Sequence, residues 1–209
     1  MSVHQHPHGL TRFHLPSRHG SRTVLSPAVG ADVATTSTAT LTHAMAGLRL
    51  LLGFVFLWAF FDKLFGWHYA TASGKGWING GSPTKGFLSA VAAGPMASTF
   101  HSWAGAGWVD WLFMIGMLAI GLALLSGVAL RLAAVAGTAM MALMWMAEWP
   151  PAQHLSTGAL SMSSNPAVDY HVVFAAALIV LAAASAGTTW GLGRTWARLP
   201  IVARNNWLQ

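Results

Sequence analysis

The sequence predicts an all-α fold: a four-helix transmembrane bundle with a short interfacial helix in the long connection between the first two spans. Two observations predict it. The 209 residues are 55% hydrophobic and 8% charged, whereas roughly a quarter of a typical soluble domain is charged. Four apolar stretches also recur along the chain, each close to the ~20 residues that cross about 30 Å of hydrocarbon. The surface is therefore expected to face the lipid bilayer.

The basic residues predict the orientation of the bundle. The net charge of +6 does not indicate nucleic-acid binding, because the Lys and Arg residues lie in tails and short loops rather than on one folded face. Cytoplasmic loops of membrane proteins carry an excess of Lys and Arg. Lys63, Lys75 and Lys85 fall on one side of the predicted bundle. The other side carries Arg22, Arg49, Arg131, Arg194, Arg198 and Arg204. We expect a multi-pass plasma (inner) membrane protein with both termini cytoplasmic.

The N-terminal residues 1–40 are polar and rich in Ser and Thr, which predicts a disordered cytoplasmic tail. This tail contains His4, His6, His8, His14 and His19. A histidine-rich tract can bind metal, although a solvated tail is the simpler interpretation. Residues 41–190 are predicted to form the four-helix membrane domain, and residues 191–209 form a basic cytoplasmic tail.

The first predicted span covers residues 41–66, and Arg49 lies within it. Such an arginine either snorkels toward the membrane surface or pairs with backbone carbonyls or an anionic ligand. The second and third spans cover residues 108–125 and 130–149. The few residues between them predict a tight hairpin and antiparallel neighbours.

Proline residues delimit the remaining elements. Pro150-Pro151 ends the third span, since proline removes a donor and clashes with a helix already running. The fourth span, residues 167–187, is expected to begin with Asn165 as N-cap and Pro166 as the first helical residue. In the long connection, Ser82-Pro83 predicts the start and Gly94-Pro95 the end of one short helix.

This topology places four acidic residues at the outer ends of the spans, with His171 close in depth. Asp110 and Asp169 lie in first turns, where the helix dipole favours a carboxylate. Asp62 and Glu148 lie in last turns, where the dipole disfavours it, so Lys63, a hydrogen-bonded partner or a ligand must offset the cost. Ionisable groups at membrane depth are functional candidates. The candidate catalytic residues are Asp62, Glu148, Asp169 and His171.

Aromatic residues next to these acids suggest a binding slot. Trp58 lies one turn before Asp62, and Trp145 lies just before Glu148. Two such rings could hold a flat, amphipathic ligand such as a quinone head group, although tryptophan also anchors helices at the membrane interface. The candidate cofactor-binding residues are Trp58, Trp145, Arg49 and Lys63.

Other cofactors find little support in the sequence. The chain has no cysteine, which excludes thiolate-held Fe–S clusters. His43 and His171 are expected at opposite faces, which disfavours a bis-histidine haem, and no glycine-rich nucleotide site is evident. Asp62, Glu148, Asp169 and His171 could chemically bind a metal. No metal site is predicted, however, because Asp169 and His171 would be separated by about 200° on a helix.

Several motifs resemble the DoxX/DoxD membrane proteins, and in particular their actinobacterial branch, over about residues 44–200. They are Arg49–Gly53 continuing into Phe61–Gly66, Gly80–Leu88, Trp111–Met114, Asn165-Pro166 with Asp169 and His171, and Trp190–Arg194. The resemblance implies a four-helix membrane fold. The namesake of the family is the large subunit of a thiosulfate:quinone oxidoreductase, which oxidises thiosulfate to tetrathionate and passes electrons to quinone. The matching positions are Arg49, Asp62, Lys63, Asp169 and His171.

The resemblance makes a quinone-interacting subunit of a membrane oxidoreductase the favoured function, with quinone as the cofactor. No region resembles the second, smaller subunit of the thiosulfate enzyme, so electron transfer would need bound quinone or a redox partner subunit. The alternative is a non-catalytic membrane scaffold that recruits a redox partner; a transporter ranks third. The small residues Ala133, Gly137, Ala183 and Gly187 are compatible with close helix packing and a homo-oligomer.

Overall fold

The structure, a computed structural model, describes residues 27–208, with side chains described from residue 38 onward except that of Asn206. Within this range the regular secondary structure is helical, and one isolated bridge joins His154 and Leu160. This confirms the all-α prediction for the described residues. The predicted tail histidines lie outside them. A compact unit begins at Thr38, and the packing described below belongs to that unit.

The first helix, α1, covers Pro27–Phe65 and is 39 residues long. It therefore begins within the segment predicted to be a disordered tail, at a proline, a residue suited to the first helical position. Its apolar part, Thr38–Phe65, is long and apolar enough to cross a membrane. That part corresponds closely to the first predicted span.

Two further helices meet the same criterion. They are α4, Gly107–Ser126, and α5, Leu130–Glu148, and both agree with the predicted second and third spans within one residue at each end. Gly127 and Ala129 adopt left-handed backbone conformations in the hairpin between them. Three helices long and apolar enough to cross a bilayer indicate a membrane protein.

The fourth predicted span is shorter in the structure than in the sequence interpretation. Helix α6 covers only Tyr170–Ala183, 14 residues, or about 21 Å at 1.5 Å per residue. Its N-cap is Asp169, not Asn165 as predicted. The Asn165 side chain instead accepts hydrogen bonds from the backbone N–H groups of Ala167 and Val168, at 2.9 and 3.0 Å. Asn165 thus closes a turn that precedes the helix.

The four longest helices share one hydrophobic core. α1 contributes Leu52, Phe56 and Phe60; α4 contributes Met114, Met117, Ile120 and Leu124; α5 contributes Leu130, Ala134 and Met141; α6 and the turn after it contribute Leu178, Leu181 and Ala186. Glycine permits the closest approaches in this bundle. A Cβ at Gly137 would lie 2.5 Å from Leu178, and one at Gly187 would lie 2.1 Å from the carbonyl oxygen of Gly127.

The connection between α1 and α4 contains two short α-helices where the sequence predicted one. They are α2, Lys85–Ser89, and α3, Ala97–Trp103. Gly94 adopts a positive φ of 100° between them, so Gly94-Pro95 forms the turn into α3. The two helices enclose a small second core of Leu88, Val91 and Phe100 against Ala147 of α5. The remaining helices, α7 (Gly193–Ala197) and α8 (Pro200–Ala203), follow α6.

Candidate functional site

Asp62, near the end of α1, is bound by the loop that follows the helix. The carboxylate is 1% exposed and accepts hydrogen bonds from the backbone N–H groups of Tyr69 and Ala70, at 3.2 and 3.1 Å. These donors offset the unfavourable helix dipole. Of the partners considered for Asp62 from the sequence, the structure shows hydrogen-bond donors, namely two backbone N–H groups. Lys63 forms no ion pair with Asp62 within the described residues.

Asp110, in the first turn of α4, forms hydrogen bonds with two residues of the connection between α1 and α4. One carboxylate oxygen accepts hydrogen bonds from the Ser82 hydroxyl at 2.9 Å and from the Thr84 hydroxyl at 2.6 Å. The Thr84 backbone N–H donates to the same oxygen at 3.1 Å. A structural role accounts for this buried acid.

Glu148 and Asp169 meet where α5 ends and α6 begins. The Tyr170 hydroxyl donates to an exposed Glu148 carboxylate at 2.8 Å. One oxygen of Asp169 caps α6, accepting from the backbone N–H groups of His171 and Val172 at 3.0 and 3.2 Å. Its other oxygen lies 2.8 Å from Nδ1 of His171, in a hydrogen bond donated by the ring nitrogen.

The separation of about 200° expected for Asp169 and His171 is wrong, because helical rotation does not apply to an N-cap. Asp169 precedes the helix, with an extended backbone at φ −119° and ψ −171°. Its side chain can consequently turn back toward the ring of His171. One possible ligand atom each from Glu148, Asp169 and His171 lies within 4.8 Å of the others. Asp62, the fourth candidate catalytic residue, is not part of this cluster.

The two tryptophans predicted to form a slot belong to separate aromatic groups. Trp58 packs against Trp67 and Tyr69, with ring centroids 5.5 and 5.0 Å apart. Trp145 packs against Trp149 at 5.5 Å, and its indole N–H donates to the carbonyl of Ala167 at 3.2 Å. Among the described residues no ring contact joins Trp58 to Trp145. The structure thus gives each ring its own packing partners.

A cavity of about 390 Å³ lies between α4 and α5, beneath α2 and α3. Its walls are almost entirely apolar, and the polar side chains that reach it are Lys63 and Thr84. Apolar wall residues include Phe87, Trp103, Leu112, Phe113, Met140, Leu143 and Met144. Lys63 is therefore the one predicted cofactor-binding residue that lines this cavity.

The Lys63 ammonium lies 5.9 Å from the centroid of the Phe113 ring, within the range of a cation–π contact. It forms no ion pair with a carboxylate in the described part of the chain. Apart from Lys63, none of the residues lining the cavity was predicted from the sequence as a binding residue. The available signal was Gly116, which lies opposite Met140 and leaves room between the two helices.

Arg49 is buried at the other end of the bundle, with 0% exposure. It donates to the carbonyl oxygens of Leu124 and Leu125 at the end of α4. It also donates to the carbonyls of Thr189 and Trp190, at 3.2 and 2.9 Å. Arg49 therefore pairs with backbone carbonyls rather than snorkelling, and its contacts are remote from the cavity.

Fold and site together define a helical membrane protein with a largely apolar cavity, whose described wall residues include one lysine, Lys63. No protein-family model, curated protein or solved structure matches this chain. The DoxX/DoxD resemblance consequently stays a prediction made from the motifs alone.

Proposed function

We propose that this chain is a quinone-interacting subunit of a membrane oxidoreductase, similar to thiosulfate:quinone oxidoreductase, and that a quinone head group occupies the cavity between α4 and α5. The observation that carries the proposal is the lysine side chain of Lys63 in the almost entirely apolar wall of a cavity of about 390 Å³. Ligand pockets of roughly 300–1,000 Å³ are mostly apolar, with a few polar groups that orient the ligand.

The chemistry of a quinone suits this combination. Its ring is flat and apolar, and each carbonyl oxygen can accept a hydrogen bond from a lysine. Hydrogen bonds to charged groups contribute about 1.5–3 kcal/mol, which favours a bound acceptor over an empty cavity beside a partly buried ammonium. Leu112 and Leu143, which line the cavity, are also 65% and 40% exposed on the outer faces of α4 and α5. An isoprenoid tail could leave the cavity there and enter the lipid.

We extend the proposal to the topology: four crossings of the plasma membrane, with both termini cytoplasmic. α6 starts beside Glu148, at the end of α5, and the segment after α6 meets the end of α4 through Arg49. α6 thus runs between the same two ends as α4 and α5. The segments that flank it, within residues 167–187, would supply the length that its 14 helical residues lack. The Lys and Arg asymmetry supports the orientation.

The electrons would come from a redox partner subunit. The chain has no cysteine, so it lacks the thiolate ligands that hold Fe–S clusters. Thiosulfate is a dianion, and the acids predicted at the outer ends of the spans would repel it unless Lys63, Lys75 or Lys85 compensates. We therefore assign quinone binding to this chain and thiosulfate oxidation to the assembly. Ala133, Gly137 and Gly187 are buried within the bundle, so packing inside one chain accounts for them, and a homo-oligomer stays a prediction.

The test is quinone binding to the purified full chain. We expect mass spectrometry after mild extraction to detect co-purified quinone, and a short-chain naphthoquinone to bind the delipidated protein. Lys63→Met should weaken that binding at least tenfold, while Lys63→Arg retains most of it. Lys85→Met is the matched control, because Lys85 is exposed and does not line the cavity. Equal binding by Lys63→Met and the unmodified chain would exclude this site.

Catalysis requires a second assay. Thiosulfate-dependent reduction of a soluble quinone should be measured with the purified chain alone and with membrane extract restored. We expect activity only when membrane extract is restored, because the extract supplies the redox partner subunit. Absence of both activity and quinone, with a redox protein co-purifying, would favour the non-catalytic scaffold.

A further inference from the structure

We propose that Glu148, Asp169 and His171 bind one first-row divalent transition-metal ion where α5 ends and α6 begins. This site is separate from the cavity and does not depend on the function proposed for it. Glu148 ends α5, Asp169 is the N-cap of α6 and His171 lies in its first turn; together they offer two carboxylates and one imidazole. The sequence argued against such a site because helical rotation would separate Asp169 from His171. The N-cap position of Asp169 removes that objection.

The distances fit an ion with neighbouring ligands. One potential ligand atom from each residue lies within 4.8 Å of the others, and Asp169 Oδ2 lies 2.8 Å from His171 Nδ1. Two ligands each at about 2.1 Å from an ion and 2.8 Å apart would subtend roughly 84° at that ion. This angle is nearer to the octahedral 90° than to the tetrahedral value of about 109°. Water would fill the remaining positions.

An ion can bind these ligand atoms once His171 Nδ1 gives up the proton that it donates to Asp169 Oδ2. Asp169 uses Oδ1 to cap α6, which fixes the carboxylate and leaves Oδ2 directed toward His171. Glu148 accepts the Tyr170 hydroxyl through Oε1, so its other oxygen can reach an ion without loss of that contact. Bonded carboxylates of this kind are the usual supporting arrangement of a metal site.

The buried imidazole of His171 is the independent observation. Its side chain is 1% exposed, and Nε2 is buried without a hydrogen-bond partner among the described residues. Its one polar side-chain contact is therefore the one toward this cluster, through Nδ1. Burial holds the ring with Nδ1 toward the cluster, and an ion bound there would replace the proton that Nδ1 donates to Asp169.

The charge of the cluster also favours a cation. Neither Glu148 nor Asp169 forms an ion pair with a Lys or Arg in the part of the chain that the structure describes. The loop of residues 150–169 contains neither of these residue types. One nitrogen and two oxygen ligands suit Mn²⁺, Fe²⁺, Co²⁺ or Ni²⁺ better than Ca²⁺, which prefers oxygen, or Cu⁺, which prefers sulfur.

Mn²⁺ is the probe of choice, because carboxylate and water ligands suit it better than a histidine tract does. The full chain is purified in detergent, stripped with a chelator and freed of it, and bound Mn²⁺ is then measured by electron paramagnetic resonance. We expect one ion per chain. Glu148→Gln and Asp169→Asn should weaken binding at least tenfold. Both changes are compatible with folding, since Glu148 is exposed and asparagine is a good N-cap.

The N-terminal histidines require their own control. A variant with His4, His6, His8, His14 and His19 changed to Gln should bind Mn²⁺ as the unmodified chain does. Circular dichroism of each variant verifies that its helix content is preserved. The proposal is overturned by an unmodified chain that binds no Mn²⁺, by Glu148→Gln and Asp169→Asn variants that bind it normally, or by binding that disappears with the tail histidines.

Discussion

Nη2 of Arg49 donates a hydrogen bond of 2.9 Å to the carbonyl oxygen of Trp190, 141 residues further along the chain. The other terminal nitrogen donates to the carbonyls of Leu124 and Leu125. One side chain of α1 thus binds the end of α4 and the segment after α6. Carbonyls at a helix C-terminus have no intrahelical partner and carry negative partial charge. A guanidinium satisfies several of them at once.

Replacement of Arg49 should destabilise the bundle. Arg49→Met leaves the bound carbonyls without donors, and each buried unsatisfied group costs about 1–3 kcal/mol. Arg49→Lys should recover only part of the loss, because an ammonium lacks the planar fork of donors. Thermal unfolding in detergent measures both, with the exposed Arg198→Met as control. A midpoint for Arg49→Met equal to that of the control would contradict a structural role.

The contact between Gly187 and Gly127 should not tolerate a side chain. A Cβ on Gly187 would lie 2.1 Å from the carbonyl oxygen of Gly127, and backbone cannot move aside as a flexible side chain can. We expect Gly187→Ala to lower the unfolding midpoint. Gly47→Ala is the matched control, since that helical position has open space around it and alanine gains about 0.5–1 kcal/mol over glycine in a helix. Opposite shifts of the two midpoints are the expected result.

Asp110→Asn should loosen the long connection without unfolding the bundle. One carboxylate oxygen accepts all three hydrogen bonds from Ser82 and Thr84. An amide keeps that acceptor but loses the negative charge, and hydrogen bonds to charged groups contribute about 1.5–3 kcal/mol against about 0.5–1.5 kcal/mol for neutral ones. Hydrogen exchange should therefore accelerate over α2 and the residues before it, and remain slow in α4. Thr84→Val should produce a smaller effect in the same region, and the double variant should show less than the sum. Additive effects would argue against a direct Asp110–Thr84 interaction.

The proposed topology can be tested with single cysteines, because the chain has none of its own. Ser164 lies in the exposed loop before α6, and Thr195 lies in α7, after it. In intact cells, Cys at position 164 should react with a membrane-impermeant reagent, and Cys at position 195 should react only after permeabilisation. Reaction of both from outside would show that α6 does not cross the membrane. The reverse pattern would invert the orientation.

The sequence by itself determined the helical class, the three long apolar helices and the hairpin between α4 and α5. These features depend on the local succession of apolar residues, glycines and prolines, and the bounds of α4 and α5 agree with the predicted ones within one residue at each end. The same local signals failed where a choice between neighbouring caps was needed. Asn165 and Asp169 are both good N-caps, and the structure shows that α6 starts after the second.

Only the tertiary structure decided which groups meet. The partners of Arg49 are backbone carbonyls distant along the chain. The sequence cannot indicate which carbonyls bind Arg49, because every residue has one. The cavity arises where Gly116 and Met140 of two antiparallel helices face each other, which depends on their relative rotation. Asp169 reaches His171 because its backbone is extended rather than helical. Composition and periodicity fix which segments are helices, whereas contacts between segments depend on packing in three dimensions.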